Sequence, residues 1–560
     1  MKDSIFRKLF MILIVAMAVI VVKLQAAVEE KHMNQYVARW LERTADVSST
    51  EENTGSEADE KEDGAAGRDS RREETGEKNS AGDPQETSSG NQADISDQET
   101  ESACMEIRVL LTGGQGYSHH KFTLSFEEDY YIQNGQEVYY GEAGTSINEA
   151  DIASLFARQN ERGNHAGNLQ SSGQNAAEEG ADQGLIVGVW KDGGWDTDTE
   201  WKLSMDGGAG ENYQGILVIT QAGGGSSDSP QAGQEAGGYY LVNTLPLENY
   251  LYYVLPSEMP SNYPMEALKA QAVCARSYAM LQIRQGRMEQ YGADVDDTTA
   301  FQVYHTQGTS DAAIQAVDET AGQYLSYQGE PIEAFYYACS CGHSTTADIW
   351  RGSENRDYSY LVYHDYGTLE QESPWYQWSY HAKQFDMEAL KSRLLTVLAQ
   401  NKDYISIYSG EGDSKESWTE ITDRAKMEEV ISGMSAVQDI QVQERLAGEV
   451  ADCLHITSGT YHIMIEGEYH IRNVLTADGY MLVKQDMSVS EGLTLVPSGF
   501  FEIETVKQDG NLAAYVLKGG GFGHGVGMSQ YGARYLAEDG KDYEYILTYY
   551  YENVTIDTVR

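Results

Sequence analysis

The chain is 560 residues long and carries 39 Lys and Arg against 88 Asp and Glu, a formal charge of −49. That length exceeds one ordinary core and implies two or more domains or large insertions. The acidic balance argues against nucleic acid or an anionic membrane surface as partner, and the five cysteines, Cys104, Cys274, Cys339, Cys341 and Cys453, form no regular disulfide framework.

In the first segment, Lys2, Arg7 and Lys8 precede an apolar run from Leu9 to Val22. The run suits a signal-peptide core and falls short of the roughly 20 residues of a full span. Residues 1–26 are read as a membrane anchor or signal peptide. The anchor is preferred, because Lys23 can snorkel and Leu24-Gln25-Ala26 is a mediocre cleavage site. The expectation is a single-pass protein of the cell membrane, its bulk extracytoplasmic by the positive-inside rule. Residues 42–104 are Glu, Asp, Ser, Gly, Thr and Gln with almost no large apolar side chain. They cannot bury enough surface to offset ordering entropy and are read as a disordered acidic linker that self-repulsion extends.

Residues 105–245 read as a β-rich part with inserts. IRVLLTG, KFTLSF, GLIVGVW, YQGILVIT and YYLVNTLPL are strand-like runs bounded by Gly or Asp. A short helix begins in INEADIASLF, a polar insert follows it, and Gly223 to Gly238 is a flexible loop. No catalytic constellation occurs here.

Residues 246–369 form the expected catalytic core. Glu258 sits in a turn-prone segment between Pro256 and Pro260, ahead of a helix read from Met265 to Met280. Ser261 or Asn262 can cap that helix, Pro264 suits its first turn, and Glu266 favours the helix dipole. Leu268, Ala272, Ala275 and Ala279 make its buried stripe, with Cys274 a small buried hydrophobe. Lys269 and Arg276, seven residues apart, project from about the same side and would flank whatever Glu258 acts on. The structural alternative is a helix-entry acid with two solvated or salt-bridged cations. Further on, a helix spans Asp311 to Thr320, and two strands flank a Gln328-Gly329 turn. The second, Ile332 to Ala338, delivers Cys339-Ser340-Cys341-Gly342-His343-Ser344 to a strand end, where sites tend to sit.

Residues 370–515 read as an accessory or inserted α+β region with a helix in FDMEALKSRLLTVLAQ and strands in HITSG, YHIMIEGEYHI, YMLVK and FFEIETV. Trp375 and Trp378 are read as core, with stacking on sugar rings the alternative. Residues 516–560 return to the core through GGGFGHGVGMSQYGA, whose glycines allow a tight loop, and a helix follows from Ser529 to Ala537. Nucleotide binding is rejected, for no GK[ST] and no correctly flanked G-x-G-x-x-G is present.

These blocks, Leu245-Pro246-Leu247-Glu248 with Tyr250-Leu251, Pro256-Ser257-Glu258-Met259-Pro260, Glu266 through Val273, Ala275 through Tyr278, Gln302-Val303-Tyr304, Cys341 through Ser344 and Gly519 through Ala533, together resemble the SpoIID/LytB family. The family is that of stage II sporulation protein D-like peptidoglycan lytic transglycosylases. The resemblance implies an α+β fold with a glycan-binding groove and Glu258 as catalytic acid and base. It implies cleavage between N-acetylmuramic acid and N-acetylglucosamine, in peptide-stripped strands, to 1,6-anhydro ends, in sporulation and engulfment or in wall remodelling. Lys269, Gln271, Arg276, His343, Ser344, His524 and Gln530 are the expected substrate-binding residues. Implied partners are peptidoglycan strands and a cell-wall amidase or other sporulation membrane proteins.

One carboxyl group suffices for that chemistry, since the substrate's own 6-hydroxyl replaces the water that a two-carboxylate hydrolase activates. Glu258 would need a raised pKa to begin protonated. No cofactor is expected. The zinc ligands that some members carry before Gln-Val-Tyr are absent here, and Cys339, Cys341 and His343, with His305, make at most a weak zinc set at a non-standard spacing. The rival readings are a non-catalytic peptidoglycan-binding module or amidase enhancer, and a scaffold with a vestigial groove.

Overall fold

The computed structural model describes residues 105–163, 184–222 and 238–559, except 115, 299, 305–307, 351, 354–355, 383–384, 401, 413–414 and 478. The expected anchor, the acidic linker and His305 lie outside the described residues. Among those described, no helix is long and apolar enough to cross a membrane. The expectation of a single-pass membrane protein is corrected on that finding. Even the 21-residue helix Met265–Gln285 carries Glu266, Lys269, Arg276 and Arg284, which hydrocarbon would not tolerate.

The architecture is α+β. Its first sheet has Glu106–Leu110 near one edge, antiparallel to Tyr239–Pro246, which in turn pairs with Ile216–Gln221. Leu185–Lys191, Tyr130–Asn134 and Glu137–Gly141 continue it outward. On its other side Glu106–Leu110 pairs in parallel with Val295–Asp296, so the β-rich part and the segment after the core helix share one sheet. A smaller sheet, in the order Ser146–Asn148, Phe122–Phe126, Trp201–Met205, Glu211–Tyr213, and helix α1 (Glu149–Gly163) complete this part. Alternation drives the pairing: Phe122, Leu124 and Phe126 are buried while Thr123 is exposed.

The centre is helical. Helix α2 (Leu247–Glu258) leads into α3 (Met265–Gln285), and α3 packs against α2, α4 (Asp311–Glu319), two later helices and the strand Gln323–Tyr327. Burial on α3 is wider than a single stripe, for Ala267, Ala270, Ala272, Ala275 and Ala279 are all fully covered. Alanines keep the helix thin, so neighbours close in from several sides. It ends where Gly286 takes the left-handed conformation.

Helix α2 was not foreseen. Pro256 lies inside it and argues against a helix on sequence grounds, yet the proline falls in the last turn and the helix stops two residues later. Glu258 is thus a helix-terminal residue rather than part of an isolated turn. Pro264, not Ser261 or Asn262, occupies the N-cap of α3.

Two five-stranded sheets build the later region. One runs Val489–Ser490, Met481–Lys484, Trp378–Ala382, Asn511–Gly519, Phe501–Gln508. The other runs Thr419–Ile421, Ile405–Ser409, Tyr461–Glu466, Ala451–Ser458, Asp439–Arg445, with α5 (Met387–Gln400) and α6 (Arg424–Gly433) alongside. Glu468–Val474 is helix α7, where the apolar run had read as continuing strand. Trp375 and Trp378 are buried, as core residues.

The glycine-rich block returns the chain to the core. Met528–Ser529 pairs in parallel with Tyr336–Tyr337, a short strand where a longer one from Ile332 had been expected. Gly527 makes the approach possible: its φ of +75° is one that L side chains rarely adopt, and a Cβ there would strike the Phe335 carbonyl. Ser529 caps α8 (Gln530–Glu538), α9 (Tyr543–Tyr550) follows, and Thr555–Thr558 pairs with Gln323–Tyr327.

Candidate active site

Glu258 lies where three separated segments meet. Its side chain is only 3% exposed, its Oε1 accepts from the Val303 amide at 3.1 Å, and its backbone carbonyl accepts from Gln530 Nε2 at 2.8 Å. Gln530 Nε2 also lies 3.4 Å from Gln271 Oε1. The end of α2, the 302–304 loop, α3 and the first residue of α8 are thereby tied together at the carboxyl-bearing residue. Gln302 in turn donates to the Ala275 carbonyl at 3.3 Å.

The acids on the same loop are otherwise engaged. Asp296 accepts from Thr298 and Tyr117, and Asp297 from the amide and hydroxyl of Thr112. Burial raises the pKa of Asp296 against those hydrogen bonds.

Next to Glu258 along the chain, Tyr263 meets Tyr531 edge to face with ring centroids 6.1 Å apart. The Arg534 guanidinium sits 5.3 Å above the Tyr263 ring and 5.7 Å from that of Tyr535. All four side chains are part-exposed. Tyr531 belongs to the glycine-rich block in sequence, and the signal for its place here is its i, i+3 and i, i+4 spacing to Arg534 and Tyr535.

The two cations expected to flank Glu258 are held elsewhere. Arg276 is fully buried, with Nε 2.9 Å and Nη2 2.6 Å from the two oxygens of Glu248, and it also donates to the carbonyls of Gln323 and Val317. Lys269 bridges Glu266 at 3.0 Å and Glu319 at 2.7 Å. Both clamp α3 to neighbouring elements, and Arg276 has no surface left for a sugar.

The other expected ligands divide similarly. Ser344 is buried and bonded to the 362–364 backbone, accepting from the His364 amide at 2.8 Å. His524 is buried with Nε2–H donating to the Tyr336 carbonyl at 3.0 Å and Nδ1 accepting from the Val526 amide at 3.1 Å, which fixes a neutral tautomer. Its ring packs beside Trp350 and Tyr337. His343 is half-buried and faces a groove away from these contacts.

A buried carboxylate missed in the sequence, Glu370, organises this floor. It accepts from the Ser340 amide at 2.9 Å, the Ser340 hydroxyl at 2.6 Å and the Ser529 hydroxyl at 2.8 Å. Burial raises its pKa, and the serine donors oppose the rise. Nothing in the local sequence around Glu370 distinguishes it, because both partners are far away in the chain.

Among the described residues the weak zinc set, Cys339, Cys341 and His343, is not assembled. Cys339 turns to the Ser373 hydroxyl at 3.1 Å, while Cys341 Sγ lies 3.6 Å from His343 Nε2. Burial pushes the Cys341 thiol up to about 12 and Cys339 well above its usual range. Among the described residues no three His, Cys, Asp or Glu side chains converge as metal ligands.

An α+β protein with a buried glutamate at a helix terminus, its carbonyl held by the residue that opens the helix after a glycine-rich loop, is the class that fold and site define. A family model described as stage II sporulation protein matches residues 235–327, and one described as a domain of unknown function matches 409–527. The amidase enhancer of Bacillus subtilis is 28% identical over 317 residues, 54% of this chain and 39% of that protein. Stage II sporulation protein D of Bacillus subtilis is 29% identical over 331 residues, 56% of this chain and 75% of that one. An uncharacterized protein of Brachyspira hyodysenteriae is 30% identical over 318 residues, 56% and 68% of the respective chains. The chain belongs to the SpoIID family.

Proposed function

We propose that the chain is a peptidoglycan lytic transglycosylase with Glu258 as its one acid and base, cutting peptide-stripped strands between N-acetylmuramic acid and N-acetylglucosamine during sporulation or other wall remodelling. The observation that carries this reading is the convergence on Glu258 of the Val303 amide and the Gln530 side chain, residues of two distant motif blocks. The engagement of Asp296 and Asp297 by Tyr117, Thr298 and Thr112 supports a one-carboxyl mechanism.

In that mechanism the Glu258 carboxyl gives its proton to the bridging oxygen as the bond from the muramyl C1 breaks. The carboxylate, one oxygen of which accepts from the Val303 amide, then takes the proton of the muramyl 6-hydroxyl as that oxygen bonds to C1. One proton leaves and one returns. No water enters, and the new end is a 1,6-anhydro ring. Tyr263 and Tyr531 offer faces for sugar rings, and Arg534 offers donors beside them.

A second reading, a glycan-binding enhancer of a cell-wall amidase, is favoured by the likeness to the amidase enhancer and by the low exposure of Glu258. Mass spectrometry of denuded glycan strands incubated with the full chain separates the two. The first reading expects products one water lighter than hydrolytic fragments, reduced about 10²–10⁴-fold by Glu258→Gln. Reducing-end products would mean a hydrolase with a second carboxylate. Bound strands with no product at all would favour the enhancer.

A further inference from the structure

A groove of about 720 Å³ opens between the Cys341–His343 loop and the sheet of the later region. Its lining includes His343, Tyr376, Lys484, Phe500 and Lys518. Phe500 and His343 meet edge to face at 5.3 Å, so the groove presents apolar ring surface beside polar groups.

Three cations line it, and two are neutralised. Arg445 pairs with Glu502 at 3.0 Å, and Lys518 with Glu504 at 2.6 Å. Lys484 differs: its Nζ stands 5.0 Å from the Trp375 ring centroid, and among the described residues no carboxylate lies within ion-pair distance of it. Burial lowers its pKa, and the charge of Asp486, two residues on and itself bonded to Ser488, only partly opposes that shift. A half-buried cation over an indole, facing a cavity, favours an anion from outside.

The rest of the lining narrows the anion. Glu449 and Glu502 stand at the same groove and disfavour a multiply charged phosphate, while one ammonium balances one carboxylate. The aromatic walls want a ligand with an apolar face, as a pyranose ring has. We propose that this groove is a saccharide site distinct from Glu258, in which Lys484 binds the carboxylate of a sugar acid. Resting on the peptidoglycan reading above, that sugar is N-acetylmuramic acid with its lactyl carboxylate free, because N-acetylglucosamine has no carboxylate to offer. An attached peptide would convert the carboxylate to an amide and remove the charge.

The test is titration calorimetry of the full chain with N-acetylmuramic acid, N-acetylglucosamine and D-alanyl-D-alanine, on the wild type, Lys484→Met, Lys484→Arg and Glu258→Gln. The expected result is at least tenfold tighter binding of the sugar acid than of N-acetylglucosamine. Lys484→Met should erase the difference, Lys484→Arg should restore most of it, and Glu258→Gln should leave it intact. Equal binding of both sugars, or discrimination unchanged in a folded Lys484→Met, would overturn the proposal. Binding of the dipeptide in place of the sugar acid would overturn it too, assigning the carboxylate to a peptide. Because the readout needs no cleavage, discrimination with no glycan products would sink the enzymatic reading and leave the groove standing.

Discussion

On α3, Arg276 and Lys269 each meet carboxylates supplied by other elements, whereas Lys484, on a strand of the later region, faces a groove over an indole, with Asp486 near it in charge but not bonded to it. The first pair lies in the most motif-rich stretch of the sequence; the second position lies in a part that carries no motif. A charged residue close in sequence to a catalytic candidate is therefore not thereby close to its substrate. What decides is whether folding brings it a counter-ion, and for Arg276 that counter-ion is Glu248, 28 residues away.

Substitutions at both places can break or sharpen this contrast. The largest effect is expected at Arg276: Arg276→Met leaves two carbonyls without their donor and Glu248 with the Gly322 amide in place of its cation, and should cost about 3 kcal/mol, the low end for a broken buried pair because Glu248 is a quarter exposed. Denaturant titration measures it, and a variant as stable as wild type would return Arg276 to the list of ligand-binding candidates. Next come Tyr263→Ala and Tyr531→Ala, which on the proposed reading raise KM about tenfold, roughly 1.4 kcal/mol, with kcat little changed. A fall in kcat at constant KM would instead tie the rings to the chemical step.

Glu370 gives a pH signature. Its folded pKa is raised above the ordinary 4.5, so its protonated form is favoured by folding. Its contribution to stability is full below about pH 4.5 and is lost as pH rises through the raised value. Glu370→Gln should flatten that part of the stability profile, read as Tm between pH 4 and 8 against wild type. A parallel profile would mean that the folded and unfolded pKa values of Glu370 coincide. The smallest effect belongs to Lys269→Ala, under about 1 kcal/mol for a part-exposed pair, with turnover unchanged.

Much of the fold was legible. Strand alternation located Phe122–Phe126 and Tyr239–Pro246, and the Gln328-Gly329 pair, both at positive φ, marks the hairpin that the sequence suggested. Helix α2 was hidden because Pro256 is a breaker by every local rule, and only tertiary packing of Leu247, Tyr250, Leu251, Val254 and Leu255 overrides it. At the site, Glu258, Gln271 and Gln530 do come together. The burial of Ser344 and His524 was not readable, since a polar residue in a glycine-rich loop looks the same whether it faces solvent or a backbone carbonyl. The grip of Glu370 on Ser340 and Ser529 depends on contacts 30 and 159 residues apart, beyond any local pattern.

The parallel pairing of Tyr336–Tyr337 with Met528–Ser529 has a consequence for the order of assembly. Glu258 is made before the later region, but Gln530, which holds its carbonyl, follows the whole of it. A growing chain thus carries the acid long before it carries the wall behind it. The surroundings of Glu258 can be completed only after residue 530 has emerged, so any partly made or truncated product that stops within the later region holds the acid without its closing partner.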